Sequence, residues 1–248
     1  MEHHVVLAAL RLKKIDKILG LKKYSEVEPN MTKYLISMEI AGPFAMWTRP
    51  DTGATPTSYP VPTWSAAKGI FESIAFFHDG KAWIRPIKVQ ICKPLGSPGG
   101  EIHFQRYTTN YRGPLKNKSK SNFQFSSLIL VDVCYRLYAT VENGSGKPLR
   151  RGNNPCHALA AIFERRLKAG QCHKIPTLGW NEFVASYWGP LRDDPSQEDA
   201  TEVDKAICID MVSVLERVFD MEVNGSYKPL FRQDESSKIV NGEFYYAK

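Results

Sequence analysis

The order strand, helix, strand, strand, helix, strand, followed by a β-rich tail, predicts an α+β chain of the ferredoxin-like (RRM-like) type. Three observations carry the prediction. Tyr34 to Ile40 alternates apolar and polar residues, and Leu128 to Val141 is rich in β-branched and aromatic residues, so both read as strands. Ile70, Phe71, Ile74 and Phe77 form one helical face behind a Thr63 cap. Residues 97 to 126 are turn-rich and lie between the second strand and the next.

Taken in order, residues 1–30 form a basic N-terminal extension. Within it, 5 to 23 has Leu12, Ile15, Ile18 and Leu19 at helical spacing among lysines, which predicts a short amphipathic helix, more simply a solvated extension than a membrane anchor. The main domain spans 31–185. Its first strand is broken by Gly42-Pro43, a Pro- and Gly-dense loop runs from Pro50 to Pro62, and a helix covers Trp64 to Phe77. Ala82 to Cys92 is the second strand and a hairpin occupies about 98–126. After Leu128 to Val141, a Gly- and Asn-rich connection from Asn143 to Pro155 leads to a helix over about Cys156 to Ala169, closed by Gly170. In the β-rich segment 186–248 and just before it, Phe183 to Trp188 and Lys205 to Val218 read as strands or short helices, and a turn at Asn241-Gly242 interrupts Phe231 to Tyr246.

With 248 residues, 43% of them hydrophobic, the chain buries a full core, and a formal charge of +7 favours a polyanionic partner such as nucleic acid. The longest early apolar run, Val5 to Leu10, is too short for a membrane span, and the start lacks the basic head of a signal peptide. A cytoplasmic protein without membrane contact is expected. Five widely spaced cysteines without a Cys-x-x-Cys fit reduced thiols, and they support neither a zinc site nor a disulfide framework. No cofactor and no metal is expected.

Charge is unevenly placed. Between Ile102 and Val131 there is no acidic residue, while Arg106, Arg112, Lys116, Lys118 and Lys120 alternate with Phe104, Tyr107, Tyr111, Phe123 and Phe125. Cations neutralise phosphates and flat rings stack on unpaired bases, at about 1–3 kcal/mol per stack, so this stretch reads as an RNA contact rather than a hairpin whose rings only pack on the core. A second basic stretch runs from Asn143 to Lys174, where Lys147, Arg150, Arg151, Arg165, Arg166, Lys168 and Lys174 face a single acid, Glu164. It leads into a helix N-terminus, where Asn153, Asn154 and His157 suit a phosphate. The run Asp193, Asp194, Glu198, Asp199, Glu202, Asp204 reads as a solvated acidic surface.

Two stretches sharpen the reading: Gly42-Pro43-Phe44-Ala45-Met46-Trp47-Thr48-Arg49-Pro50, and Ser58 through Thr63-Trp64-Ser65-Ala66-Ala67-Lys68-Gly69-Ile70-Phe71-Glu72-Ser73-Ile74. Phe163-Glu164-Arg165-Arg166, Gly170-Gln171-Cys172, Leu178-Gly179-Trp180-Asn181-Glu182-Phe183, Pro229-Leu230-Phe231 and Asn241-Gly242 follow in order. From Met31 to Lys248 the chain resembles the CRISPR-associated Cas-five family, subtype d, of type I-C systems. The resemblance implies a RAMP-superfamily ferredoxin-like domain with an inserted thumb hairpin, placed at the end of a Cascade ribonucleoprotein in antiviral defence. There it holds the 5′ handle of the CRISPR RNA and contacts the seventh-family backbone subunit, the large subunit and target DNA near the PAM. Lys68, in the matching helix, joins the RNA-contact set.

Members of that family also cut precursor RNA without metal, using a tyrosine on the first helix and a lysine-histidine pair before the second. Here the tyrosine position is Ala75. One alignment makes the lysine Cys156 and keeps His157 as the catalytic candidate, while the gap-free alternative places Ala158 and Leu159 there. His78, one turn after Ala75 on the expected helix, is a partial stand-in for that tyrosine in one reading, and both it and His173 read more simply as surface histidines. Three functions stay open at this point: an RNA-binding Cascade subunit, a metal-independent endoribonuclease of precursor CRISPR RNA, and another ferredoxin-like nucleic-acid-binding protein.

Overall fold

The computed structural model describes residues 34–111, 123–144, 154–217, 222–223, 226–227, 229–233 and 237–246. The expected helix over 5–23 lies outside them. From Tyr34 onward the chain forms one compact α+β unit. Strand β1 (Leu35–Ala45) leads to helix α1 (Trp64–Ile74), β2 (Ala82–Pro94), β3 (Phe104–Tyr111), β4 (Phe123–Asn143) and helix α2 (Pro155–Lys168). Short strands follow: β5 (Tyr187–Gly189), β6 (Thr201–Val203), β7 (Ile209–Asp210), β8 (Val214–Arg217), β9 (Glu222–Val223), β10 (Ser226–Tyr227), β11 (Leu230–Arg232), β12 (Lys238–Ile239) and β13 (Glu243–Tyr245).

The main sheet runs β13-β2-β4-β1-β5 with antiparallel neighbours, β3 pairs with the first half of β4, and β6 pairs with the end of β2. Smaller two-stranded pairs join β7 to β12, β8 to β11 and β9 to β10. Among the described residues no helix is long and apolar enough to cross a membrane.

Strand periodicity gives the sheet two unlike faces. Ile36, Met38 and Ile40 of β1 sit opposite Ala139, Leu137 and Tyr135 of β4, and Leu137 also sits opposite Val89 of β2. These residues share one apolar cluster with Ile70, Phe71 and Ile74 of α1 and Leu159, Phe163 and Leu167 of α2. The Phe71 and Phe163 rings lie 5.6 Å apart where the helices meet. The alternate positions, Glu39, Lys88, Gln90, Arg136 and Tyr138, are also buried, and they are polar. Glu39 receives Arg136 Nε at 3.2 Å, Arg192 Nε at 2.7 Å and the Thr201 hydroxyl at 2.9 Å. Lys88 Nζ pairs with Glu243 Oε1 at 3.1 Å, and the Tyr138 hydroxyl donates to Gln90 at 2.8 Å. Residues 192–204 supply part of this cover, so the stretch around Glu39, Arg136 and Tyr138 is shielded from solvent, while toward Asp132 and Cys134 the same face opens into a cavity of about 1290 Å³.

Three expectations are corrected by the structure. Gly42-Pro43 does not end β1, because Pro43 lies opposite Asp132 (φ 52°), a position left out of the β1–β4 pairing, so the missing N–H costs no ladder bond. Helix α1 stops at Ile74 rather than Phe77. Ala75 turns extended (φ −152°, ψ 136°), while the Ser73 carbonyl accepts the N–H groups of His173 and Lys174 and the Ile74 carbonyl accepts Arg166. The acidic run is not uniformly solvated. Asp204 is 3% exposed and accepts the Gly100 N–H at 2.7 Å, and Glu202 pairs with Lys93 at 2.6 Å. At the closing turn Asn241 and Gly242 both have positive φ (52° and 73°), the backbone that a tight hairpin needs.

Candidate nucleic-acid interface

The β3–β4 pair runs in register from Phe104 opposite Leu130 to Tyr111 opposite Phe123. Alternation puts Phe104, Arg106, Thr108 and Asn110 on one face with Leu128, Ser126 and Gln124, and Tyr107 on the other with Phe125. The first face is largely open to solvent: Phe104 is 45% and Leu128 38% exposed, beside an exposed Arg106 whose Nε donates to Ser126 Oγ at 3.1 Å. The second face is engaged. Tyr107 lies 5.4 Å from Phe183 and 6.2 Å from Trp180, and Phe125 lies 6.3 Å from Trp180. Trp180 and Phe183 stack at 5.7 Å with an 18° tilt.

Gly179 allows that shelf to form. Its φ of +98° and its approach to Met46, where a Cβ would sit 1.9 Å from the carbonyl oxygen, admit only glycine, and Met46 N–H bonds Leu178 O at 2.9 Å alongside. Arg106 and Tyr107, adjacent in sequence, therefore act on opposite sides of the hairpin. Arg112, Lys116, Lys118 and Lys120 lie outside the described residues, and Tyr111 closes β3.

At the second basic stretch, Lys147, Arg150 and Arg151 also lie outside the described residues. Asn154 caps α2: its Oδ1 accepts the Cys156 N–H at 2.9 Å and its Nδ2 donates to the Tyr34 hydroxyl at 3.0 Å. Cys156 is 3% exposed, its Sγ lies 3.1 Å from Asn143 Oδ1, and burial, helped by the nearby Glu142 charge, pushes its thiol pKa up. His157 is exposed, with its ring 6.2 Å from that of Tyr34. Arg165 is exposed in the last turn of α2, where cations suit the helix dipole, whereas Arg166 is half-buried and its Nη1 donates to Ile74 O at 2.7 Å. Lys68 is half-buried over the Trp64 and Trp83 rings (5.7 and 5.4 Å) and 3.7 Å from Glu72, so part of its charge is already satisfied within the protein.

Comparison with known sequences decides the family. The sequence model of Cas_Cas5d, described as CRISPR-associated protein (Cas_Cas5), matches residues 35–238. The chain belongs to the Cas5d family. A relative from Thermus thermophilus, named CRISPR pre-crRNA endoribonuclease Cas5d, is 33% identical over 161 residues, 64% of this chain and 66% of that protein. A relative of the same name from Mannheimia succiniciproducens is 26% identical over 228 residues, 86% of this chain and 96% of that protein. Among solved structures, the functionally uncharacterized protein SMU1763c from Streptococcus mutans superposes with a TM-score of 0.60 at 17% identity, covering 86% of this chain and 92% of that one. A structure described as a CRISPR-associated protein gives 0.59 at 16% identity, with the same coverages. Both share the fold.

In this Cas5d chain, the positions that the resemblance pairs with a helix tyrosine and a lysine hold Ala75, with no exposed surface, and the buried Cys156. Neither offers a phenol or an ammonium to solvent. Sequence reasoning missed the Trp180–Phe183 shelf, although Leu178 to Phe183 stands out as a motif. It also missed that Phe76, His78 and His173 meet: the Phe76 ring lies 4.4 Å from His78 and 4.9 Å from His173. Nothing local in the sequence joins residues so far apart.

Proposed function

We propose that this Cas5d chain is a CRISPR RNA-binding subunit of a type I-C Cascade complex, holding the repeat-derived 5′ handle in the cytoplasm. The observation that carries the reading is the β3–β4 hairpin, with Arg106 and Phe104 on its open face, at the root of a thirty-residue stretch free of acids. The reading takes this hairpin as the thumb. It takes the β5-β1-β4-β2 order, with a helix after β1 and after β4, as the RRM-like core, and 186–248 as strands added to that core. Partners in this reading are CRISPR RNA, the seventh-family backbone subunit, the large subunit and target DNA near the PAM. In this reading Lys147, Arg150, Arg151 and Arg165 also contact RNA phosphates.

The test is co-purification with repeat RNA and a salt titration of the complex. Replacing Lys116, Lys118 and Lys120 together with alanine should lower the salt slope by about 2, at roughly 0.7 per phosphate on a single strand. An unchanged slope removes the thumb from the RNA site.

A second reading, metal-independent cleavage of precursor CRISPR RNA, is favoured by the name that both curated relatives carry. His157 is the candidate from the family alignment, and its companion at the lysine position is a buried thiol. If cutting resides there, His157→Ala abolishes it; cutting that survives His157→Ala locates the chemistry elsewhere.

A further inference from the structure

Two loops that follow different helices bring a pair of imidazoles together at the protein surface. The chain leaves α1 through Ala75, whose extended backbone carries Phe76 and then His78 outward. The loop after α2 returns to the same point, tied by the His173 and Lys174 N–H groups to Ser73 O at 2.8 and 2.9 Å, and by Arg166 to Ile74 O. His78 and His173 are both exposed, their ring centroids 6.2 Å apart at 84°, and both meet the half-buried Phe76 ring edge-on. Three long-range backbone and side-chain bonds thus fix the loops that carry the pair, which separates it from two histidines that happen to share a surface.

We propose that His78 and His173 are the acid–base pair of a metal-independent RNA-cleaving centre in this chain. The inference rests on the RNA-cleaving reading and gives it a location. In-line attack by a 2′-hydroxyl requires a proton acceptor at that oxygen and a donor at the 5′ oxygen on the far side of phosphorus, each within hydrogen-bond reach. Imidazole is the side chain suited to both tasks near neutral pH. The neutral ring takes the 2′-hydroxyl proton as the 2′ oxygen bonds to phosphorus. The P–O5′ bond breaks with its electron pair on the 5′ oxygen, and the protonated ring delivers a proton to it. The products are a 2′,3′-cyclic phosphate and a 5′-hydroxyl, with no other reactant consumed. Arg166 is tied to the Ile74 carbonyl at the end of α1, and Lys174 follows His173 in the chain. Asp79, which follows His78, is held by Lys81 at 2.5 Å, and Glu72 on α1 is held by Lys68.

The test incubates the full chain with 5′-labelled CRISPR repeat RNA in excess EDTA, measuring binding and cutting side by side. Cutting should yield cyclic-phosphate ends, follow a bell-shaped pH profile and stop when the 2′-hydroxyl at the cut is removed. His78→Ala and His173→Ala should each slow it by about 100-fold or more while affinity stays within about twofold. RNA that binds but stays intact, or is cut equally well by the His78 and His173 variants, overturns the pair and leaves the RNA-binding function standing. RNA that does not bind at all overturns the binding function itself.

Discussion

Glu39 holds two guanidinium groups and a hydroxyl with a side chain that has no exposed surface. Burial raises its carboxyl pKa, but the Arg192 backbone and side chain and the Thr201 hydroxyl outweigh burial and bring it below the ordinary carboxylate range. A carboxyl depressed in the folded state contributes stability that is present above its unfolded pKa and lost as the pH falls through its folded one. Glu39→Gln strands Arg136 and Arg192 and should cost about 3–5 kcal/mol at neutral pH, read from a urea midpoint. The gap between variant and parent should close on acidification; a gap that persists in acid would assign the loss to packing rather than charge. Arg106 makes the opposite case, an exposed cation whose replacement by alanine should leave the urea midpoint unchanged and lower the RNA salt slope by about 0.7.

At the level of elements, the hairpin is only as firm as the shelf beneath it. Trp180→Ala removes ring contacts with Tyr107, Phe125 and Phe183, each worth about 0.5–1.5 kcal/mol. Amide exchange in β3 and the first half of β4 should accelerate and RNA affinity should fall, while exchange in β1 stays slow. Equal exchange in parent and variant would show that the hairpin stands without the shelf. The long strands β1, β2 and β4 and both described helices were legible in the sequence, because period-2 and helical patterns report burial directly, whereas the short strands β6, β9 and β10 carry no such pattern. The end of α1 was not legible, since its last carbonyls are taken by Arg166 and the 173–174 backbone, far away in the sequence. The hairpin rings and cations read as one patch, yet strand alternation sends Arg106 and Tyr107 to opposite sides, a distinction the sequence contains once the pairing is known. Asp204 was lost in an acidic run because its partner is a backbone N–H, which leaves no trace in composition.

For the molecule as a whole, the covered stretch of the sheet around Arg136 and Tyr138 restricts where a nucleic acid lies. An open RRM-type sheet offers aromatic rings to bases; here Tyr138 and Arg136 are 4% and 7% exposed and bonded within the protein. Ultraviolet crosslinking to repeat RNA followed by mass spectrometry should therefore label Phe104 and the hairpin and spare Tyr138 and Tyr135. Adducts on β4 beyond Val133 would mean that the 192–204 cover lifts off when RNA binds.

The pairing of β2 with β13 also has a bearing on the birth of the protein. Lys88 and the carboxylate that neutralises it are 155 positions apart, so a ribosome adding about 5–20 residues each second exposes the unfinished edge for about 8–30 s. Throughout that interval the nascent polypeptide carries an unpaired strand and an uncompensated ammonium, a state that attracts chaperones and invites aggregation. Chains halted before Glu243 should accumulate in the insoluble fraction even though both described helices have already been synthesised.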